Sequence, residues 1–374
     1  MKAIDIAGRA IGPGQPCFIV AEAGVNHNGS LETALQMVDV AREAGASAIK
    51  FQTFKAERLV TRDAPKADYQ RCTTDPCESQ YEMLRHLELP RCAYTRLVDH
   101  CRALKILFLS SPFDEESADF LDRLGLPAFK IPSGEITNLP LLAHVAAKNK
   151  PLIVSTGMST LAEVESAVAS IRAVGVGDLL LLQCTSNYPA EPASANLRAM
   201  ETLARAFNVP VGYSDHTEGN STALAAVALG ACMIEKHFTL DRRLPGPDHA
   251  ASVEPAGLAE LVREIRQVEA ALGDGQKRPA PRETETARVT RKSLVAACDI
   301  TPGTVLTEAM VVLRRPGTGL PPEVRPYVVG RTARTAIPSG SLLTPKTGTS
   351  STASRGSTSE WAIIPAPRRS CAGP

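Results

Sequence analysis

His216 and His237 each close a short apolar run, Pro210-Val-Gly-Tyr213 and Met233-Ile-Glu-Lys236. If those runs are neighbouring strands, about 4.8 Å apart, their imidazoles can converge on one ion. A site of two imidazoles with open positions suits Mn²⁺, Mg²⁺ or Zn²⁺. Alternatively, each histidine is a satisfied core or surface residue. Lys50 and Lys130 stand inside apolar runs, where an ammonium is expensive unless it meets an anion. Each one snorkels, faces an anionic ligand, or serves as a Schiff-base amine with a lowered pKa. With Ser111, Ser133, Ser155 and Ser214 they make a cradle for a phosphate and a carboxylate. Glu22 and Glu135 are either general acid–base groups or counter-charges to the lysines.

The elements that must hold these residues are legible from periodicity. Strand-like runs occur at 18–21, 48–51, 106–109, 128–131, 152–155, 179–182, 210–213 and 233–236. Helical patterns lie between them: residues 31–44 behind Ser30, 161–173 behind Ser159-Thr160, and 258–272 at the end of the series. Eight strands alternating with helices over about 255 residues predict a parallel (β/α)₈ TIM barrel rather than a doubly wound sheet. A dinucleotide-binding sheet would carry a Gly-rich turn after its first strand, where this chain reads Glu22-Ala-Gly-Val-Asn26. Polar residues follow every strand, among them Asn26, His27, Gln52, Tyr188, Asp248 and His249. So many polar groups at one mouth are not a packing requirement.

Residues 1–272 are therefore expected to form the barrel, with 273–291 a polar linker. Residues 292–347 read as a small β-rich domain with an internal echo, Ile300-Thr-Pro-Gly-Thr-Val-Leu-Thr307 against Ile337-Pro-Ser-Gly-Ser-Leu-Leu-Thr344. The Ser/Thr/Pro-rich segment 348–374 reads as a disordered tail. Lys+Arg 41 against Asp+Glu 40 gives no field that would attract nucleic acid or an anionic membrane. No apolar run reaches the roughly 18 residues of a membrane span, and Met1–Ile6 does not resemble a secretory signal. The nine cysteines form no CxxC pair. Cys17, Cys184 and Cys232 sit in apolar runs, as buried free thiols of a reducing cytoplasm would.

In these same residues the chain resembles the sialic acid synthase family. The matching stretches are Phe18-Ile-Val-Ala-Glu-Ala-Gly-Val-Asn-His-Asn-Gly-Ser30, Lys50-Phe-Gln-Thr53, Ser111-Pro-Phe113 and Phe129-Lys-Ile-Pro-Ser-Gly-Glu135. They continue with Ser155-Thr-Gly-Met158, Gln183-Cys-Thr-Ser-Asn-Tyr-Pro189, Tyr213-Ser-Asp-His-Thr217 and Glu235-Lys-His-Phe-Thr239. Pro245-Gly-Pro-Asp-His249 and Arg315-Pro-Gly-Thr-Gly319 complete a resemblance that covers residues 5 to 346. The form Ser186-Asn-Tyr188, with Glu78-Ser-Gln-Tyr-Glu-Met-Leu84, is similar to bacterial synthases, including those of legionaminic acid. Some members carry Asn-Ile-Tyr there, which puts Ser186 in the aligned place.

The resemblance implies condensation of phosphoenolpyruvate with an N-acetylmannosamine-type aldehyde and water, giving a nine-carbon 2-keto acid and phosphate. It implies His216 and His237 as ligands of a divalent metal, Mn²⁺ or Mg²⁺. Lys50, Ser111, Lys130, Ser133, Ser155, Ser186 and Ser214 would hold phosphoenolpyruvate. Gln52, Tyr188 and Asp248 would contact the sugar, while Glu22 and Glu135 would serve proton transfer or orient it. It further implies an antifreeze-like (β-clip) C-terminal domain and a domain-swapped homodimer in which Arg315 reaches the partner subunit's site. Two rivals are a pyruvate aldolase using Lys130 or Lys50 as a Schiff-base amine, and a non-catalytic glycan-binding protein.

Overall fold

The computed structural model describes residues 1–345 and 363–365. Eight parallel strands form one sheet: β3 (Phe18–Gly24), β4 (Ala48–Thr53), β5 (Leu107–Pro112), β6 (Phe129–Ile131), β7 (Leu152–Ser155), β8 (Leu179–Cys184), β9 (Val211–Asp215) and β10 (Met233–His237). The spatial order is β5-β4-β3-β10-β9-β8-β7-β6, and the two end strands lie side by side, which closes the cylinder. A helix follows each strand. Four of these helices open on side-chain caps, such as Ser30 accepting from the Thr33 amide and the Thr160/Glu163 capping box. The last one runs Pro255–Leu272, three residues earlier than its apolar pattern suggests, because Pro255 occupies the first turn.

The period of two along each strand decides what faces the barrel axis. Phe18, Val20, Ala48, Leu109, Ala128, Ile153, Leu180, Leu182 and Met233 form one interior cluster. Two residues further on, the same inward face carries Glu22, Lys50, Ser111, Lys130, Ser155, Cys184 and Glu235. On β9 the inward place is Gly212, where a Cβ would sit 2.7 Å from Leu182 and 2.8 Å from Met233. The barrel is thus apolar in its lower layers and polar at its C-terminal mouth.

A feature that periodicity did not announce precedes the barrel. β1 (Ile4–Ile6) and β2 (Arg9–Ile11) form an antiparallel hairpin. Its Ile4, Ile6 and Ile11 join the interior cluster and seal the N-terminal end. The stretch is too short for a pattern, and its isoleucines gain their burial from strands far away in sequence.

The chain divides into two compact units, 1–274 and 275–374. In the second, β11 (Ser293–Ala296) pairs antiparallel with β12 (Val311–Arg314), and β13 (Leu343–Pro345) with β14 (Ile363–Pro365). The two halves of the internal echo meet through reciprocal hydrogen bonds between Ile300 and Ile337, 2.9 and 2.8 Å. The segment read as a linker holds a helix, Glu283–Thr290, whose exposed residues gave no amphipathic signal. Of the segment expected to be disordered, 348–374, only the strand Ile363–Pro365 lies within the described residues. Cys17, Cys184 and Cys232 are free and buried. Among the described residues no helix is long and apolar enough to cross a membrane.

Candidate active site

Parallel register levels the chemistry at the mouth: His237 pairs with Glu22, Glu22 with Lys50, and Gln52 with Ser111. A cavity of about 340 Å³ opens there. Its lining includes Glu22, Lys50, Gln52, Ser111, Lys130, Ser133, Ser155, Ser186, Tyr188, Ser214, His216 and His237, all anticipated from the sequence, and also Glu235 and Tyr69, which were not.

The cavity floor is an alternating row of charges. Lys50 Nζ lies 2.6 Å from Glu22 Oε2 and 3.7 Å from Glu235 Oε2, and Lys130 Nζ lies 3.0 Å from Glu235 Oε1. Ser214 Oγ donates to Glu235 Oε1 at 3.1 Å, and Lys50 Nζ donates to Ser111 Oγ at 3.3 Å. Glu22 is 1% exposed, Lys50 2% and Glu235 2%. Removing such ions from water costs several kcal/mol each, offset only by close partners. Burial pushes the Glu22 carboxyl up, against the pull of Lys50. Burial also pushes Glu235 up, but Lys130 and Lys50 outweigh it and hold that carboxyl below the usual range. For Lys50, burial would lower the ammonium, yet Glu22 and Glu235 together keep it above its ordinary value. A lysine held protonated is a poor Schiff-base amine.

Glu235 escaped the reading of single residues because it stood within an apolar run. The available signal was alternation: with Met233 and His237 facing inward, Glu235 must do so too.

Both imidazoles face the cavity, with ring centroids 5.3 Å apart. His216 Nδ1 donates to the Thr185 carbonyl at 2.7 Å, which leaves its Nε2 for another partner. His237 Nδ1 is buried with no hydrogen-bond partner and stands 3.8 Å from Asp248 Oδ2. Burial, with His216 and Lys50 nearby, holds His237 well below its ordinary value. Two facing imidazoles with unfilled nitrogens are the chemistry of a divalent-metal site, and the residues present fit one. Among the described residues, no group of three or more His, Cys, Asp or Glu side chains could hold an ion.

An aromatic wall stands beside them. The Tyr188 ring lies 4.3 Å from His216 and 5.5 Å from His237. Tyr69 stacks on Tyr188 at 5.1 Å. Tyr69 lies in the insertion between β4 and the helix Arg91–Leu104, a segment without strong periodicity, and sequence reasoning missed it. The insertion is pinned by the buried Lys66 ammonium, which donates to Thr74 Oγ1, the Asp75 carbonyl and Glu78.

Glycine is required where the loops close in. Gly24 has φ +52°, and a Cβ there would lie 3.3 Å from both Gln52 Nε2 and Glu22 Oε1. A Cβ on Gly157 would overlap Ser186 and come within 2.8 Å of Ser133 Oγ, which accepts from the Gly157 amide.

Three anticipated residues stand outside the cavity lining. Asp248 is buried behind His237, and burial pushes its carboxyl up to about 6. Glu135 sits in the 3₁₀ turn Ser133–Glu135, half-buried, its carboxylate accepting from Asn138 Nδ2 at 2.8 Å. The local turn, not the strand, aims that side chain. Arg315 follows β12 in the second unit and is exposed. Ser186 lines the cavity whereas Asn187 is exposed, in keeping with the displaced asparagine of that motif.

With this geometry established, comparison with known proteins identifies the relationship. The NeuB family profile matches residues 37–277, and the SAF domain profile matches residues 291–347. The chain belongs to the NeuB family. It is 46% identical over 336 residues to the N,N'-diacetyllegionaminic acid synthase of Legionella pneumophila, covering 89% of this chain and 94% of that one. It is 49% identical over 305 residues to the synthase of the same name from Campylobacter jejuni, covering 81% and 91%. Among solved structures it is similar to the N-acetylneuraminic acid synthetase of Leptospira borgpetersenii, with TM-score 0.68 and 35% identity over 76% of this chain and 95% of that one. The barrel of this NeuB-family chain and its SAF domain correspond to the expected TIM barrel and antifreeze-like module.

Proposed function

We propose that the chain condenses phosphoenolpyruvate with an N-acetylmannosamine-type sugar aldehyde and water, yielding a nine-carbon 2-keto acid and phosphate. The observation that carries this reading is the pair of buried ammonium groups, Lys50 and Lys130, in one cavity with five serines and two imidazoles. Lys50 and Lys130 would take the phosphate and carboxylate, with the hydroxyls of Ser111, Ser133, Ser155, Ser186 and Ser214 completing the cradle. Glu235, ionised between the lysines, would fix their positions. Held in that cradle, C3 of phosphoenolpyruvate bonds to the aldehyde carbon, and water adds at C2. The C2–O bond then breaks and phosphate leaves with its bridging oxygen. The added water loses both protons as its oxygen becomes the C2 carbonyl: one goes to the aldehyde oxygen and the other to the departing phosphate. Glu22, with its raised carboxyl, would carry a proton at Oε1 while Oε2 accepts from Lys50. Gln52, Tyr188 and Asp248 would hold the sugar. Glu135, turned to Asn138, takes no part in this reading.

His216 and His237 would hold a divalent metal, Mn²⁺ or Mg²⁺, which supplies Lewis-acid polarisation of the aldehyde when bound. The proposal extends to a domain-swapped homodimer in which Arg315 of the small domain serves the partner subunit's sugar, and to residence in the cytoplasm. The test is phosphate release from phosphoenolpyruvate with N-acetylmannosamine, its 6-phosphate or the 2,4-diacetamido trideoxy analogue. Release that depends on both sugar and metal is expected. Inactivation by borohydride with pyruvate, indifferent to chelator, would replace this reading with the Schiff-base aldolase.

A further inference from the structure

The Asn26-His-Asn-Gly29 and Pro245-Gly-Pro-Asp-His249 motifs supply most of a buried polar cluster that lies beside the cavity, not in it. Asn26 Nδ2 donates to the Phe238 carbonyl and to Ser252 Oγ, both at 2.9 Å, and Ser252 Oγ donates onward to the Asp248 carbonyl at 2.7 Å. His249 is bonded on both ring nitrogens, to Thr239 Oγ1 at 2.6 Å and to Asn28 Oδ1 at 3.2 Å. Asn28 Nδ2 then donates to the Pro245 carbonyl at 2.9 Å. Because Asn28 Oδ1 can only accept, His249 carries its proton on Nε2 and accepts at Nδ1.

These bonds sew loop 245–252 to the loop after β3 at both ends and in the middle. The fit is close: a Cβ on Gly246 would lie 2.7 Å from His249 Cδ2 and 3.0 Å from Asn28 Oδ1. It is also held at a cost, since Asn26 Oδ1 is buried with no hydrogen-bond partner. An orphaned acceptor tolerated beside an active site marks a local rule broken for function.

We propose that Asn26, Asn28 and His249 are positioning residues that hold Asp248 against His237, beside the cavity. Burial holds His249 at about 4, so the linkage keeps a neutral imidazole throughout the neutral range. The inference rests on the reading of Asp248 as a sugar contact.

The test uses the full-length enzyme and two variants outside the chemistry, Asn28→Ala at an exposed position and Ser252→Ala in the interior. Each should raise the KM for sugar about 10- to 100-fold while the KM for phosphoenolpyruvate stays within about twofold. Asn28→Asp, which keeps the acceptor for His249, should recover most of the loss. Backbone amides of 245–252 should exchange faster in Asn28→Ala, with those of the barrel strands unchanged. Unchanged sugar KM in both folded alanine variants would overturn the proposal, as would sugar and phosphoenolpyruvate KM rising by one common factor. If the wild-type enzyme releases no phosphate with any sugar, the proposed function is what has failed. Amide exchange still decides the clamp: unaltered exchange in 245–252 refutes it.

Discussion

Lys50 Nζ rests 2.6 Å from Glu22 Oε2 across two adjacent barrel strands, both side chains almost wholly removed from water. Neither residue could sit there alone, since an unpaired charge at that depth costs several kcal/mol. Glu235 extends the pairing to Lys130 at 3.0 Å, so the floor of the cavity carries two ammonium groups already balanced by two carboxylates. An entering anion meets cations that are fixed in place rather than free to collapse.

Glu235→Gln keeps the shape and removes the shared charge. The two lysines would then repel, and kcat/KM for phosphoenolpyruvate should fall at least about 100-fold, with destabilisation of about 3 kcal/mol. Steady-state kinetics and thermal unfolding measure both. Wild-type kinetics in this variant would remove Glu235 from the site.

His237→Ala should abolish tight Mn²⁺ binding in calorimetry and lower metal-dependent turnover by about two orders of magnitude or more, with an unaltered circular dichroism spectrum. Retention of both binding and turnover would refute the ligand assignment.

Tyr69→Ala opens the aromatic wall against Tyr188. Loss of a stacked ring contact worth about 0.5–1.5 kcal/mol predicts a roughly 2- to 10-fold rise in sugar KM and none in that for phosphoenolpyruvate. Tyr69→Phe, which keeps the ring, should behave as wild type. A Phe variant as impaired as Ala would assign the effect to the hydroxyl instead.

His27 is buried, and its pKa is lowered to about 4, first by burial and then by His249. Below the ordinary value of 6.5 the unfolded chain takes up a proton that the folded chain refuses until about 4. Its contribution to stability is therefore complete above pH 6.5 and drains away as pH falls through that window. His27→Gln lacks this titration, so the melting-temperature gap between wild type and variant should narrow on acidification. A gap independent of pH would show that the ring is not buried neutral.

Much of this was legible in the chain. Strands rich in β-branched residues alternating with helical stretches dictate a parallel barrel, and a barrel collects its strand ends at one mouth. Lys50, Lys130, His216 and His237 could be picked out because charged or metal-binding side chains beside apolar runs are expensive unless they are used. The small domain announced itself by an echo whose halves pair at Ile300 and Ile337.

What the sequence left open depended on partners far away along the chain. Whether Lys50 was an amine or an ammonium turned on Glu22 and Glu235, 28 and 185 residues distant. Glu135, adjacent to the motif of Lys130 and Ser133, was turned aside by a single 3₁₀ turn. Tyr69 reaches the site from an aperiodic insertion that a buried lysine pins, and it stacks on Tyr188. Composition and period determine which face of each strand is apolar. Register, burial and the closing of the cylinder decide which charges meet, because Coulomb energies and desolvation depend on distances that no spacing along the chain encodes.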